Sequence, residues 1–159
     1  MSPSINRSTD ALGQDHAGRR QRWLSLLAKA PSERLETLWT CLDSVPAYDV
    51  LRRPEIGLVM VQGRISGSGA AFCAGEMTVT RAAVRLASGE IGFGYVGGRH
   101  PRHAEIVAAI DALGQRTEWR EPIEQRIVAP LEAEAAARHR PAPPPPRTIF
   151  FTVARETGT

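Results

Sequence analysis

The hydrophobic period of this chain changes twice, and that restricts its fold more than any other feature. Before Pro46 and after Pro101 the large apolar residues recur at helical spacing. Between Pro54 and Arg99 they recur every second residue. Trp23, Leu24, Leu27 and Ala28 form one stripe of a helix over 19–30. Leu35, Leu38, Trp39 and Leu42 follow an i, i+3, i+4, i+7 stripe of a second, with Ser32 as its expected N-cap. Pro31 separates them, so the pair reads as an antiparallel helical hairpin. Residues 45–54, with two prolines, read as a connector.

The middle third reads as sheet. Residues 56–65 (IGLVMVQGRI) make a strand with Ile56, Leu58 and Met60 on one face and Val59, Val61 and Ile65 on the other. A strand apolar on both faces is covered on both. Its own helices are one candidate cover and a partner protein the other. Residues 66–75 are Gly-rich and read as a wide loop. In the second strand, 76–87, Met77 and Val79 share a face with Arg81 and Arg85, while Ala82, Val84 and Leu86 point the other way. That pattern predicts either a bulge near Arg81 or contacts on both faces. After a Ser88-Gly89 turn, a third strand over 90–96 sets Ile91, Phe93 and Tyr95 against Gly92 and Gly94. Successive same-face glycines signal the close approach of another backbone.

Pro101 suits the first turn of a third helix, with the stripe Ile106, Val107, Ile110 and Leu113 and with Gly114 as its stop. A fourth begins near Pro122 and carries Ile123, Ile127, Leu131 and Ala135. Pro130 predicts a kink or restart there. Residues 148–154 (TIFFTVA) read as a last strand, placed at an edge of this sheet or on a partner's. The fold class is therefore α+β: a small antiparallel sheet of three or four strands, an N-terminal helical hairpin and C-terminal helices.

At 159 residues the chain is one domain, taken as 18–140. Residues 1–17 read as a disordered tail, 141–146 as a proline-rich spacer and 147–159 as a C-terminal strand and tail. No apolar run approaches the roughly 20 residues of a membrane span, and the N-terminus lacks a signal pattern, so a cytoplasmic location is expected. Cys41 and Cys73 fit no metal spacing and read as reduced, buried side chains. The net charge is +3, and all twenty basic side chains except Lys29 are Arg, whose planar fork suits phosphate and carboxylate.

No motif supplies a complete active site. The Gly-rich stretch 63–75 lacks the GxxxxGK[ST] pattern and leads into a strand, so a structural hairpin loop is its expected role. Thr78, Thr80, Arg81 and Arg85, with Arg64 and Arg99 nearby, offer a phosphate-binding face or, more ordinarily, subunit-interface ion pairs. His16, His100, His103 and His139 read as surface residues without metal partners. No Ser-His-Asp or Cys-His arrangement has a signature.

The segments PEIGLVMVQGR (54–64), GSGAAFCAGEMTVTRAAVRL (67–86), GYVGGR (94–99), AEIVAAIDAL (104–113) and RTIFFTVARE (147–156) carry a resemblance. With RQRWLSLLA (20–28), they make the chain similar to the G subunit of the carbon–phosphorus lyase core complex, the PhnG family. The resemblance implies a chain that joins subunits I, H and J, with direct contact to I. Together they displace adenine from MgATP by an alkylphosphonate, giving α-D-ribose 1-methylphosphonate 5-triphosphate. It implies an isolated chain without activity, with no catalytic residue, metal or cofactor of its own; MgATP and phosphonate are substrates of the complex. From the doubly apolar strands and the glycine face, the sheet is expected to pack on its own helices on one side and on subunit I on the other, and Gly92, Gly94, Arg99, Phe150 and Phe151 are assigned to the subunit interface. Arg64, Arg81 and Arg85 are candidate phosphate ligands. The competing reading is a stand-alone basic module for RNA or a phosphate ligand. A sheet without an exposed aromatic pair for base stacking, and scattered basic residues, argue against it. No nucleic acid and no membrane are expected as partners.

Overall fold

The computed structural model describes residues 7–64 and 70–138, with side chains for 16–63 and 70–138. Three antiparallel strands, β1 (Tyr48–Arg64), β2 (Ala71–Leu86) and β3 (Ile91–Gly97), lie in the order β1-β2-β3. Helices precede and follow them: α1 (Arg7–Lys29), α2 (Ser32–Thr40), α3 (Pro101–Gly114), α4 (Thr117–Ile123) and α5 (Ala129–Arg138). The α+β class holds. Residues 139–159, including the expected strand over 148–154, lie outside the described residues.

Helix α3 is the centre of the molecule. Ala104, Ile106, Val107, Ala108, Ile110 and Leu113 are all buried, because the sheet takes one side of the helix and α1, α2 and the C-terminal helices take the other. The stripes read from the sequence meet there: Trp23 and Leu27 from α1, Leu35, Leu38 and Trp39 from α2, then Leu42, and Ile123, Ile127 and Leu131 from the last helices.

Several local expectations are corrected. Helix α1 starts at Arg7 rather than Arg19, so much of the expected 1–17 tail is helical. That turn-by-turn extension needs no apolar stripe, since propagation adds one hydrogen bond per residue. Pro31, not Ser32, is the N-cap of α2; proline has no side-chain acceptor to cap the helix, and Ser32 Oγ meets His103 Nδ1. Gly114 is not a left-handed stop. A Cβ there would sit 2.8 Å from the Trp23 ring, so glycine makes room for the indole. Helix α4 carries Pro122 inside it and passes into a π-helical turn, Glu124–Val128, just ahead of Pro130. Proline crowds the carbonyl four residues back, and a wider turn relieves it. Cys41 and Cys73 are both exposed.

The strands are longer than their apolar runs. β1 begins at Tyr48, through the expected connector, and β2 begins at Ala71, inside the Gly-rich stretch. The first half of β1 is irregular, with register shifts between Val50 and Arg52 and between Arg52 and Glu55. Pro54 is tolerated there because β1 is an edge strand with a bulge. The expected bulge near Arg81 is thus on the facing strand.

Candidate functional site

Side chains alternate across a sheet, so the pairings define its faces. Gly92, Gly94 and Val96 of β3, with Ala82, Val84 and Leu86 of β2, face α3. A Cβ on Gly92 would lie 2.0 Å from the Ala108 carbonyl oxygen. One on Gly94 would lie 2.0 Å from that of Ala104. The close backbone that these glycines announced is the chain's own α3. In place of the expected subunit interface, both glycines are buried against the chain's own α3.

Among the described residues no helix covers the opposite face. It carries Ile91, Phe93 and Tyr95 from β3, paired across β2 with Arg85, Ala83 and Arg81. Phe93 and Tyr95 are 47% and 54% exposed, which overturns the expectation that the sheet lacks an exposed aromatic pair. A shallow cavity of about 310 Å³ is lined there by Leu51, Arg52, Arg81, Ala83, Phe93 and Tyr95.

The charges on this face are largely matched. Arg81 Nη2 lies 3.4 Å from Glu55 Oε1, and Arg85 Nη2 lies 3.5 Å from Asp49 Oδ2. The hydrogen bond to Glu55 raises the pKa of Arg81 above its ordinary value. Its Nε is buried with no hydrogen-bond partner.

The proposed phosphate ligands do not converge. Arg64 is opposite Ala71, ten positions along β2 from Arg81, which is on the order of 30 Å at about 3.3 Å per residue. Thr80 is excluded from the face by alternation. It is fully buried, donates to the Gly98 carbonyl at 2.7 Å and accepts from His100 N–H at 3.0 Å. Arg99 is exposed just beyond β3. Phe150 and Phe151 lie outside the described residues.

Beyond the helical layer, β1 and β2 continue as a two-stranded arm. β2 is exposed from Ala71 to Met77, and its burial begins only near Val79. In the arm Leu58 is 64% and Met60 is 68% exposed, and Ile56, Val59, Val61, Phe72 and Met77 are exposed as well. Among the described residues, nothing covers either face of this doubly apolar strand. Covering one such side chain is worth about 1.5–3 kcal/mol.

Two features escaped sequence reading. His103 is buried, not a surface residue. Its Nε2 lies 2.8 Å from the Leu27 carbonyl, which only accepts, so Nε2 carries the proton and Nδ1 accepts from Ser32 Oγ at 2.9 Å. Burial lowers its pKa; the Leu27 hydrogen bond opposes this, and neighbouring His100 adds to it. Asp111 is the second. Its carboxylate accepts from Arg20 Nε and Nη2 at 2.7 and 2.8 Å and from the Phe93 backbone N–H at 2.9 Å. An acidic residue amid an apolar stripe was the only sign of it. Among the described residues no group of three or more His, Cys, Asp or Glu side chains is placed to hold a metal.

The family model described as "Phosphonate metabolism protein PhnG" matches residues 18–145. A protein of Rhizobium meliloti (strain 1021), named "Alpha-D-ribose 1-methylphosphonate 5-triphosphate synthase subunit PhnG", is 39% identical over 146 residues. The match covers 89% of this chain and 93% of that protein.

Proposed function

Because this chain belongs to the PhnG family of phosphonate metabolism proteins, we infer that it works as a non-autonomous subunit of an α-D-ribose 1-methylphosphonate 5-triphosphate synthase. In that complex, adenine of MgATP is displaced by an alkylphosphonate. The chain supplies an assembly surface rather than reacting groups, and its partners are the H, I and J subunits of a cytoplasmic carbon–phosphorus lyase core, with I in direct contact. The observation that carries this reading is that, among the described residues, helices cover one face of the sheet and leave Ile91, Phe93 and Tyr95 open on the other. A face of that kind marks a protein contact.

The test is co-expression with the remaining subunits, then gel filtration and an assay of adenine release from MgATP and methylphosphonate. Co-elution, with release that requires this chain, is the expected result. A chain that stays alone, or a complex equally active without it, overturns the reading. The Phe93–Tyr95 pair beside Arg81 favours one competitor, a free-standing RNA module, which salt-sensitive binding of single-stranded RNA by the isolated chain would establish.

A further inference from the structure

The two edges of the sheet are treated differently. The N–H and C=O of one residue leave a strand on the same side, so alternate residues bond to alternate neighbours. Leu86 N–H donates to the Glu90 carbonyl and Gly98 N–H to that of Thr78, so even-numbered residues of β2 bond to β3. Odd-numbered residues of β3 therefore face its free edge. There the Phe93 N–H donates to Asp111, and the Ile91 carbonyl accepts from Gln115 Nε2 at 2.7 Å. Helix α3 thus closes part of that edge with side chains.

Among the described residues the β1 edge has no such cover along the arm. Glu55, Gly57 and Val59 face the odd-numbered residues Arg81, Val79 and Met77, which bond to β1. Hence Ile56, Leu58 and Met60 turn their N–H and C=O groups outward. The stretch 56–63 carries no charge, and its only proline neighbour, Pro54, lies before the regular part. Long uncharged edges of this kind are ordinarily blocked by lysine, proline or a covering element.

We propose that the arm is a strand-addition site: a partner subunit lays an extended apolar segment antiparallel or parallel along Ile56–Met60, completing the hydrogen-bond ladder and setting its alternate side chains beside Leu58 and Met60. This rests on the reading of the chain as a synthase subunit. The chemistry selects the occupant. Lipid would satisfy none of the outward N–H and C=O groups, so a bilayer is a poor fit for an open edge. Nucleic acid needs cations that 56–63 does not have. A strand meets both demands at once: its main chain fills the edge, and its alternate side chains meet Leu58 and Met60. The 39% identical relative is named as a subunit, which puts a different chain, rather than a second copy, beside this one.

The experiment uses the full chain co-expressed with the other synthase subunits. Leu58→Pro removes an outward N–H but no bond to β2, and Leu58→Thr keeps that N–H on a strand-forming residue. Proline should lower recovery of the partner subunits at least tenfold, and threonine should retain it. Independently, hydrogen exchange of the wild-type 55–61 peptide should show its outward amides slowed about 100-fold on assembly. This reading decides the matter even where the proline chain does not fold. Normal assembly of Leu58→Pro, or unchanged exchange in the wild-type complex, overturns the strand-addition site while the subunit reading stands. Failure of the wild type to join any synthase subunit overturns that reading as well. A homodimer of the wild type that Leu58→Pro dissolves assigns the edge to a second copy and overturns the proposal.

Discussion

The Asp111 carboxylate, on the central helix, holds the backbone N–H of Phe93 on the edge strand at 2.9 Å while Arg20 grips the same carboxylate from α1. One buried side chain therefore joins three elements and stops the sheet at β3. Its own side chain is 1% exposed, whereas that of Arg20 is 48% exposed. The helix and strand need the acid more than the arginine does.

Asp111→Ala should destabilise the isolated chain by about 2–3 kcal/mol, the range for losing hydrogen bonds to a buried charged group. Asp111→Asn should lose less, because an amide oxygen still accepts from Phe93. Urea unfolding of the three chains checks this; an unchanged midpoint for Asp111→Ala contradicts it.

Gly94→Leu should fail at folding, before assembly arises. The added Cβ alone meets the Ala104 carbonyl oxygen at 2.0 Å, and overpacking costs roughly 1–3 kcal/mol or more. Even Gly94→Ala should lower the melting temperature. A Gly94→Leu chain that melts like the wild type would show that α3 can lift off the sheet without cost.

Stability should fall as the solution is acidified below about pH 6.5, the ordinary histidine value. His103 has a lowered pKa in the folded state, so between that value and 6.5 the unfolded chain binds more protons than the folded one, and the free energy of unfolding drops with pH. His103→Gln, which keeps a donor for the Leu27 carbonyl, should flatten the profile between pH 7.5 and 5.5. Parallel melting curves for the two chains would remove His103 as the cause.

Phe93→Thr should leave the isolated chain within about 1 kcal/mol of wild type, since the side chain faces solvent and threonine suits a strand. The same substitution should weaken co-purification with the synthase subunits about tenfold. Undiminished recovery would show that the open face is not where the complex is held.

Much of the fold was legible in the sequence because burial imposes a period. The stripes through Trp23, Leu35, Ile106 and Ile127 each follow the face that meets the common core, and the Gly92–Gly94 pair announced a close backbone. The candidate site was less so. Arg81 and Thr80 are adjacent in the chain but lie on opposite faces of β2. Arg64 and Arg81 look like companions yet stand at different places along one long hairpin.

Periodicity says which residues of an element share a face, since that depends only on local geometry. It determined the five described helices, the three described strands and the mixed class of this protein. It does not say which element comes to that face. The tertiary structure alone decided that α3 meets the glycines, that Phe93 and Tyr95 are exposed, and that Asp111 closes the β3 edge. Those outcomes depend on contacts between residues far apart in the chain, such as Arg20 with Asp111, and no local pattern encodes such a pair.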